Sequence, residues 1–256
     1  MAVSERPLTK WGDANTSLAF EASPRSVRAM LAGEAVADSK RVMLLLESGY
    51  PPVYYFPIED VRTNLLEESE HRTTCPYKGE ARYWTVAVGD RREENAAWSY
   101  PRPLPGTPDL SGYVAFSWEA MDEWYEEDDL LVGGARNPYH RVDAVRSDRH
   151  VRVLLGGEVV AETRRPCLVF ETGAPTRYYL SPEDVRTELL TRTQTSTACP
   201  YKGMASYWST TLGGRAVNDV VWSYENPPPE QPRIAGLLCF WPERVDAIEV
   251  DGRPAD

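Results

Sequence analysis

Thr73–Trp84 reads TTCPYKGEARYW, and Thr197–Trp208 reads TACPYKGMASYW. Cys, Tyr, Lys and Trp do not recur in one order by accident, so the two strings mark a duplication. A shift of 124 positions carries the match through the chain without a gap. Tyr54-Tyr55 falls on Tyr178-Tyr179, EDVRT at Glu59–Thr63 on Glu183–Thr187, and WSY at Trp98–Tyr100 on Trp222–Tyr224. Leu65-Leu66 meets Leu189-Leu190, and Gly112 and Phe116 meet Gly236 and Phe240. The register predicts an amino-terminal leader over 1–24, a first repeat over 25–129, a linker over 130–149 and a second repeat over 150–256. Two copies in one chain are expected to form a pseudo-dimer, standing in for two identical subunits.

Each repeat reads mostly as short strands. VRAML (Val27–Leu31) and VRVLL (Val151–Leu155) run into Gly-Glu turns and second strands at Ala35–Asp38 and Val159–Glu162. Further strands are expected at Val42–Glu47, Leu168–Glu171, the VYYF and RYYL segments, Ala81–Val88, Ala96–Tyr100 and Tyr113–Phe116, with their copies. SPEDVRTELL, from Ser181, carries helix signals: Ser181 at the N-cap, Pro182 at the first position, and Glu183 and Asp184 at the positive end of the dipole. Val185, Leu189 and Leu190 would then share its buried face. The expected fold is mainly β, with two tandem small antiparallel domains of β-barrel or β-tent type, each with one short α-helix.

Twenty-one Pro and seventeen Gly fit many turns, and 42% apolar residues suffice for a core. The net charge of −11 repels phosphate backbones and anionic lipid, so neither a nucleic-acid nor a membrane partner is expected. MAVSERPLTKWGD lacks a signal peptide's apolar stretch, and no apolar run reaches spanning length, so a cytoplasmic protein is expected. Four Cys without a Cys-x-x-Cys, and three His, offer no obvious zinc ligand set. No metal or cofactor is expected.

The chain resembles the family known as domain of unknown function 427. The segments that carry the resemblance are YYFPIEDV (Tyr54–Val61; YYLSPEDV in the second copy), CPYKG followed by Tyr-Trp, WSY followed by prolines, and the closing Gly-x-x-x-Phe. The resemblance covers both repeats. It implies small, mostly-β domains, found singly or in pairs joined by a PYHRVD-like segment, and it brings a provisional nucleotidyltransferase label. Glu59-Asp60 and its copy are the adjacent carboxylates such chemistry would draw on, though at a helix start capping accounts for them.

Three explanations of Cys-Pro-Tyr-Lys-Gly compete. Cys75 and Cys199 are candidate nucleophiles if Lys78 or Lys202, three residues on, lowers the thiol pKa. His71 is replaced by Thr195 in the second copy, so no paired base accompanies both thiols. Alternatively the motif is a ligand-holding loop: Pro fixes φ, Gly permits a tight exit, and Lys78 is presented beside Tyr77 and Tyr83. Tyr201 and Tyr207 are their copies; Tyr55, Tyr179, Glu47 and Glu171 would add contacts, and so would Arg141. Such a pocket suits a small anionic or planar ligand. Thirdly, the Cys and the aromatic residues are core packing.

Lys78 and Lys202 are the leading candidates, because lysine is rarely buried without a partner. Their replacement by Ala is expected to leave the fold nearly unchanged while abolishing ligand binding. Cys167 and Cys239 fall opposite Met43 and Ala115 and are read as core. NPYHRVD (Asn137–Asp143) has no counterpart at the shift; His140 is its acid–base candidate. The expected function is small-molecule binding, extending to metal-independent catalysis in a Lys/Tyr/Cys-lined pocket in or between the repeats. The alternatives are nucleotidyl transfer, as the family label suggests, and a purely structural duplication.

Overall fold

A computed structural model describes residues 17–255. The chain divides into two compact units, one extending to Asn137 and the other starting at Pro138. The first unit contains β1 (Leu18–Ala22), β2 (Val27–Leu31), β3 (Glu34–Ser39), β4 (Met43–Glu47), β5 (Val53–Pro57) and β6 (Leu66–Cys75). It continues with β7 (Gly79–Val88), β8 (Arg91–Ser99), β9 (Tyr113–Phe116), β10 (Glu123–Glu126) and β11 (Asp129–Leu131). Seven strands form one sheet in the order β1-β4-β5-β9-β8-β7-β6, and four form a second in the order β11-β10-β2-β3.

The second unit repeats this plan. Its strands are β12 (Val142–Arg146), β13 (Val151–Leu155), β14 (Glu158–Thr163), β15 (Cys167–Glu171), β16 (Arg177–Leu180) and β17 (Leu190–Cys199), then β18 (Gly203–Leu212), β19 (Arg215–Ser223), β20 (Leu238–Phe240), β21 (Ala247–Val250) and β22 (Arg253–Pro254). The orders β12-β15-β16-β20-β19-β18-β17 and β14-β13-β21-β22 match the first unit strand for strand. Strands β1 and β12 pair with β4 and β15 as the outer strands of their sheets. Residues 1–16 of the expected leader lie outside the described residues, and 18–22 form β1. The 130–149 segment contributes β12 to the second unit.

Alternation builds two cores per unit. In β2, Val27, Ala29 and Leu31 are buried and the residues between them are not. These three pack with Tyr54, Phe56, Val86 and Trp124 between the two sheets. The neighbour of Tyr54 must point the other way, and Tyr55 joins Leu18, Leu45, Ala81, Tyr100 and Ala115 on the far face of the large sheet. The second unit divides in the same manner, with Leu180 on one side and Tyr179 on the other. Adjacent tyrosines thus serve different cores, and the motif residues lie with the second of these.

Two expectations fail. Among the described residues the sheets are open, not closed barrels. SPEDVRTELL does not form an α-helix either; it forms two 3-10 turns, Pro182–Asp184 and Thr187–Leu189. Val185 between them is extended and bridges to Ala161, just as Val61 bridges to Ala37. Burying that valine by strand contact breaks the 3.6-residue period, so Val185, Leu189 and Leu190 reach the core without sharing a helix face. Ser181 makes no capping bond. Asp184 is engaged instead by Arg165 Nε at 3.1 Å and Thr163 Oγ1 at 2.6 Å. Among the described residues no helix is long and apolar enough to cross a membrane.

The opening motif proves to be a hairpin turn. Cys75 faces Gly79 across β6 and β7, as Cys199 faces Gly203 across β17 and β18. Pro, Tyr and Lys form the three-residue loop. Gly79 has φ +101°, and a Cβ there would stand 3.2 Å from the Arg102 carbonyl oxygen; Gly203 has φ +89° and 3.4 Å to Asn226. Gly49, at φ +82°, has open space. Each Gly→Ala change should therefore destabilise by about 1 kcal/mol or more from backbone strain. Gly79→Ala should cost most and Gly49→Ala least, as ordered by urea midpoints.

Candidate functional site

The hairpin loop delivers a lysine to the far face of the large sheet. Lys78 is 8% exposed. Its ammonium donates to a carboxylate oxygen of Glu47, the last residue of β4. The loop is clamped from outside by the proline-rich segment after β8: Leu104 N–H donates to the Lys78 carbonyl at 3.3 Å, and Thr107 Oγ1 to the Tyr77 carbonyl at 2.5 Å. Around the pair stand aromatic groups. The Tyr100 ring centre is 6.0 Å from Lys78 Nζ. Trp98 Nε1–H donates to the Tyr55 hydroxyl at 3.2 Å. Burial, helped by Tyr100, pushes the Tyr55 hydroxyl well above the phenolic range, so it stays protonated.

A cavity of about 510 Å³ opens beside this pair. Glu47, Lys78, Tyr55, Tyr83, Trp98 and Tyr100 line one part of it; Val53, Asn95, Ser117, Trp118 and Glu119 line others. Trp118 is stacked on Trp124, with centroids 4.9 Å apart and 5° between planes.

The second unit rebuilds the pair and places further side chains beside it. Lys202, also 8% exposed, donates to Glu171. His140 adds a third member: Nε2 lies 3.0 Å from the other Glu171 oxygen, and the imidazole stacks on Tyr201 at 4.2 Å. Burial opposes the Glu171 charge, but Lys202 and His140 together hold its pKa below the ordinary carboxylate range. Trp222 Nε1–H donates to the Tyr179 hydroxyl at 3.0 Å. Burial likewise raises the Tyr179 and Tyr224 hydroxyls.

Two of the aligned positions at which the copies differ lie over the shared tryptophan. Where the first unit has Val53 and Ser117, the second has Arg177 and Trp241. Val53 pairs with Leu45 in the ladder and Arg177 pairs with Val169, so register confirms the equivalence. The Arg177 guanidinium lies 5.7 Å from the Trp222 ring centre and 5.4 Å from that of Trp241. The two indoles are 4.7 Å apart. Arg177 Nη1 is buried without a hydrogen-bond acceptor among the described residues.

Of the residues singled out from sequence, Lys78, Glu47, Tyr55 and Tyr83 line one cavity. Lys202, Glu171, His140 and Tyr201 form one chain of contacts. Tyr83 and Tyr207 hydrogen-bond Thr73 and Thr197 at 2.9 and 2.7 Å. Arg141 stands apart: its side chain is exposed and pairs with Asp143 at 2.6 Å. Cys75 and Cys199 are half-buried, and Cys199 hydrogen-bonds the Tyr224 hydroxyl. Cys167 and Cys239 are buried, and burial raises both thiols. Sequence reasoning missed Trp98, Tyr100, Arg177 and Trp241 as site residues. The mismatch of Val53 with Arg177 was the available signal. Among the described residues no cluster of His, Cys, Asp or Glu could hold a metal ion.

These features define a class: a duplicated antiparallel-β protein whose repeats each bury a lysine–glutamate pair against an aromatic wall. The family model for a domain of unknown function (DUF427) matches residues 19–127 and again 143–251, and the chain belongs to that family. No curated protein matches it.

Burial of the pair revises the expected effect of losing the lysine. Lys78→Ala strands a carboxylate and should destabilise by about 3–5 kcal/mol. The double variant Lys78→Met/Glu47→Gln should recover much of that loss in urea denaturation. Glu171, with its lowered pKa, contributes stability that is full above the ordinary carboxylate value and is lost as pH falls through the lower folded value. The stability gap between wild type and Glu171→Gln should therefore be largest near neutrality and narrow below pH ~4.5.

Proposed function

We propose that the first unit binds a small planar molecule in the cavity beside Lys78 and Glu47. The observation that carries this is a concavity of about 510 Å³ whose inner polar groups are a buried ion pair and whose walls are aromatic. That volume lies within the usual span for small-ligand sites, which combine apolar walls with a few fixed polar groups. Tyr83 and Trp98 contribute aromatic rings to the lining, and Asn95, whose Oδ1 accepts from Ser69 at 2.5 Å, adds an amide N–H that can donate.

Binding accounts for these groups better than catalysis does. The Lys78 ammonium is committed to Glu47, and the Tyr55 hydroxyl is held protonated. The thiol of Cys199 has a tyrosine hydroxyl against it where a general base would be needed. The carboxylates that nucleotidyl transfer would draw on are occupied structurally: Asp60 accepts from Arg41 at 2.7 Å and from Ser39 at 2.5 Å. The same arrangement recurs around Asp184.

Thermal melts of the whole chain against a panel of aromatic and heteroaromatic metabolites test the proposal. A ligand should raise Tm, and Ser117→Trp, which introduces the residue of the second unit, should remove that rise with little effect on the unliganded melt. A ligand whose shift survives Ser117→Trp binds elsewhere and refutes the site.

A further inference from the structure

The second unit holds its own answer to what the first unit's cavity accepts. Its large sheet has the same strand order, the same lysine–glutamate pair and the same tryptophan–tyrosine hydrogen bond. The space over Trp222 is taken by a planar cation, the Arg177 guanidinium, with Trp241 as a second aromatic wall. In the first unit the corresponding residues are Val53 and Ser117, too short to reach, and both line the cavity over Trp98. The Arg177 Nη1 atom lacks an acceptor, so ring faces hold much of the guanidinium.

Charge points the same way. Lys78 is neutralised by Glu47, so the cavity presents no spare positive charge to an anion. Glu119 adds a second carboxylate to the lining, hydrogen-bonded to Ser117 at 3.2 Å. Two carboxylates, the exposed Glu119 among them, one ammonium and several aromatic rings make a cation-favouring lining, within a protein whose net charge is −11. From this we infer that the first unit's ligand is a planar cation of the guanidinium or amidinium class, seated over Trp98 where the second unit places Arg177. The inference rests on the cavity being a ligand site.

Three isosteric probes separate the two claims: benzamidine as the cation, benzamide as the neutral control and benzoate as the anion. Each is titrated into the whole chain at fixed ionic strength, with tryptophan fluorescence and Tm as readouts. Benzamidine should bind at least ten-fold more tightly than benzamide, and benzoate not measurably. Ser117→Trp alone, and Val53→Arg with Ser117→Trp, should each abolish benzamidine binding. The reciprocal change, Arg177→Val with Trp241→Ser, should create a second benzamidine site in the other unit.

If benzamide or benzoate binds as well as benzamidine and Ser117→Trp removes that binding, the cavity stands and the cation preference is overturned. Benzamidine binding that survives the cavity-filling variants also overturns it. If benzamidine does not bind while a panel ligand does in a Ser117-dependent way, only the cation inference falls. If no probe and no panel compound binds, both claims fall. The benzamidine-to-benzamide ratio in the wild-type chain needs no variant, so a misfolded double mutant would not shield the inference.

Discussion

The contact between Lys78 and Glu47 constrains everything around it. Glu47 ends β4 and Lys78 sits in the turn before β7, yet β5, β9 and β8 lie between those strands in the sheet. Four inter-strand steps in a flat sheet span about 19 Å, beyond what the two side chains can bridge. The large sheet must curl strongly for ammonium and carboxylate to meet. Register breaks between β6 and β7 and between β7 and β8 supply local twist for that curvature. The concave face thereby becomes a chamber, and the buried ion pair resists its flattening, since separating the charges would strand each in a poorly solvated place. The same pair in the second unit meets the same requirement.

Duplication then allows the two chambers to part ways. The scaffold is held in common down to the tyrosine hydroxyl that receives an indole N–H. What differs is who occupies the space. In the second unit Arg177, Trp241 and His140 come from the chain itself, so that chamber is furnished by covalently attached groups. The first has the short side chains of Val53 and Ser117 where the second has Arg177 and Trp241. A bound cation in one unit and an intramolecular one in the other would satisfy the same aromatic surfaces, with the loss of binding freedom met once at folding in the second unit and at every binding event in the first.

Much of this was legible in the sequence because duplication prints the answer twice. The strands with alternating burial, such as VRAML and VRVLL, follow directly from their period. The SPEDVRTELL helix misled because the acidic residues and proline at its start suit a helix dipole, whereas Asp184 and Asp60 serve arginines in space. β6 and β17 carry no apolar period at all; their Ser, Thr and charged residues are mostly exposed, and only partnership with β7 and β18 makes them strands. β12 was invisible for a related reason. It lies where the repeats share no letters, and its pairing with β15 is a tertiary fact. For the site, lysine burial was correctly tied to a need for a partner, but the exposure of Arg141 and the tryptophan wall depend on how the strands pair in space, which no local pattern encodes.

One edge of each large sheet, formed by β6 and by β17, raises a matter of self-association. β6 runs Leu66–Cys75 through Glu67, Glu68, Glu70, His71 and Arg72, a density of charge that repels another strand of like kind. β17 has only Arg192 among its Ser, Thr and Gln residues, which leaves electrostatics little say there. Its safeguard is geometric: the ladder slips between Arg192 and Ser196, so a straight visitor would find matching hydrogen-bonding groups for only part of its length. The same slip occurs in β6 between Glu68 and Arg72, so the first copy guards its margin by charge and shape together and the second by shape alone; erasing the kink in β17 would open a ten-residue template for intermolecular pairing.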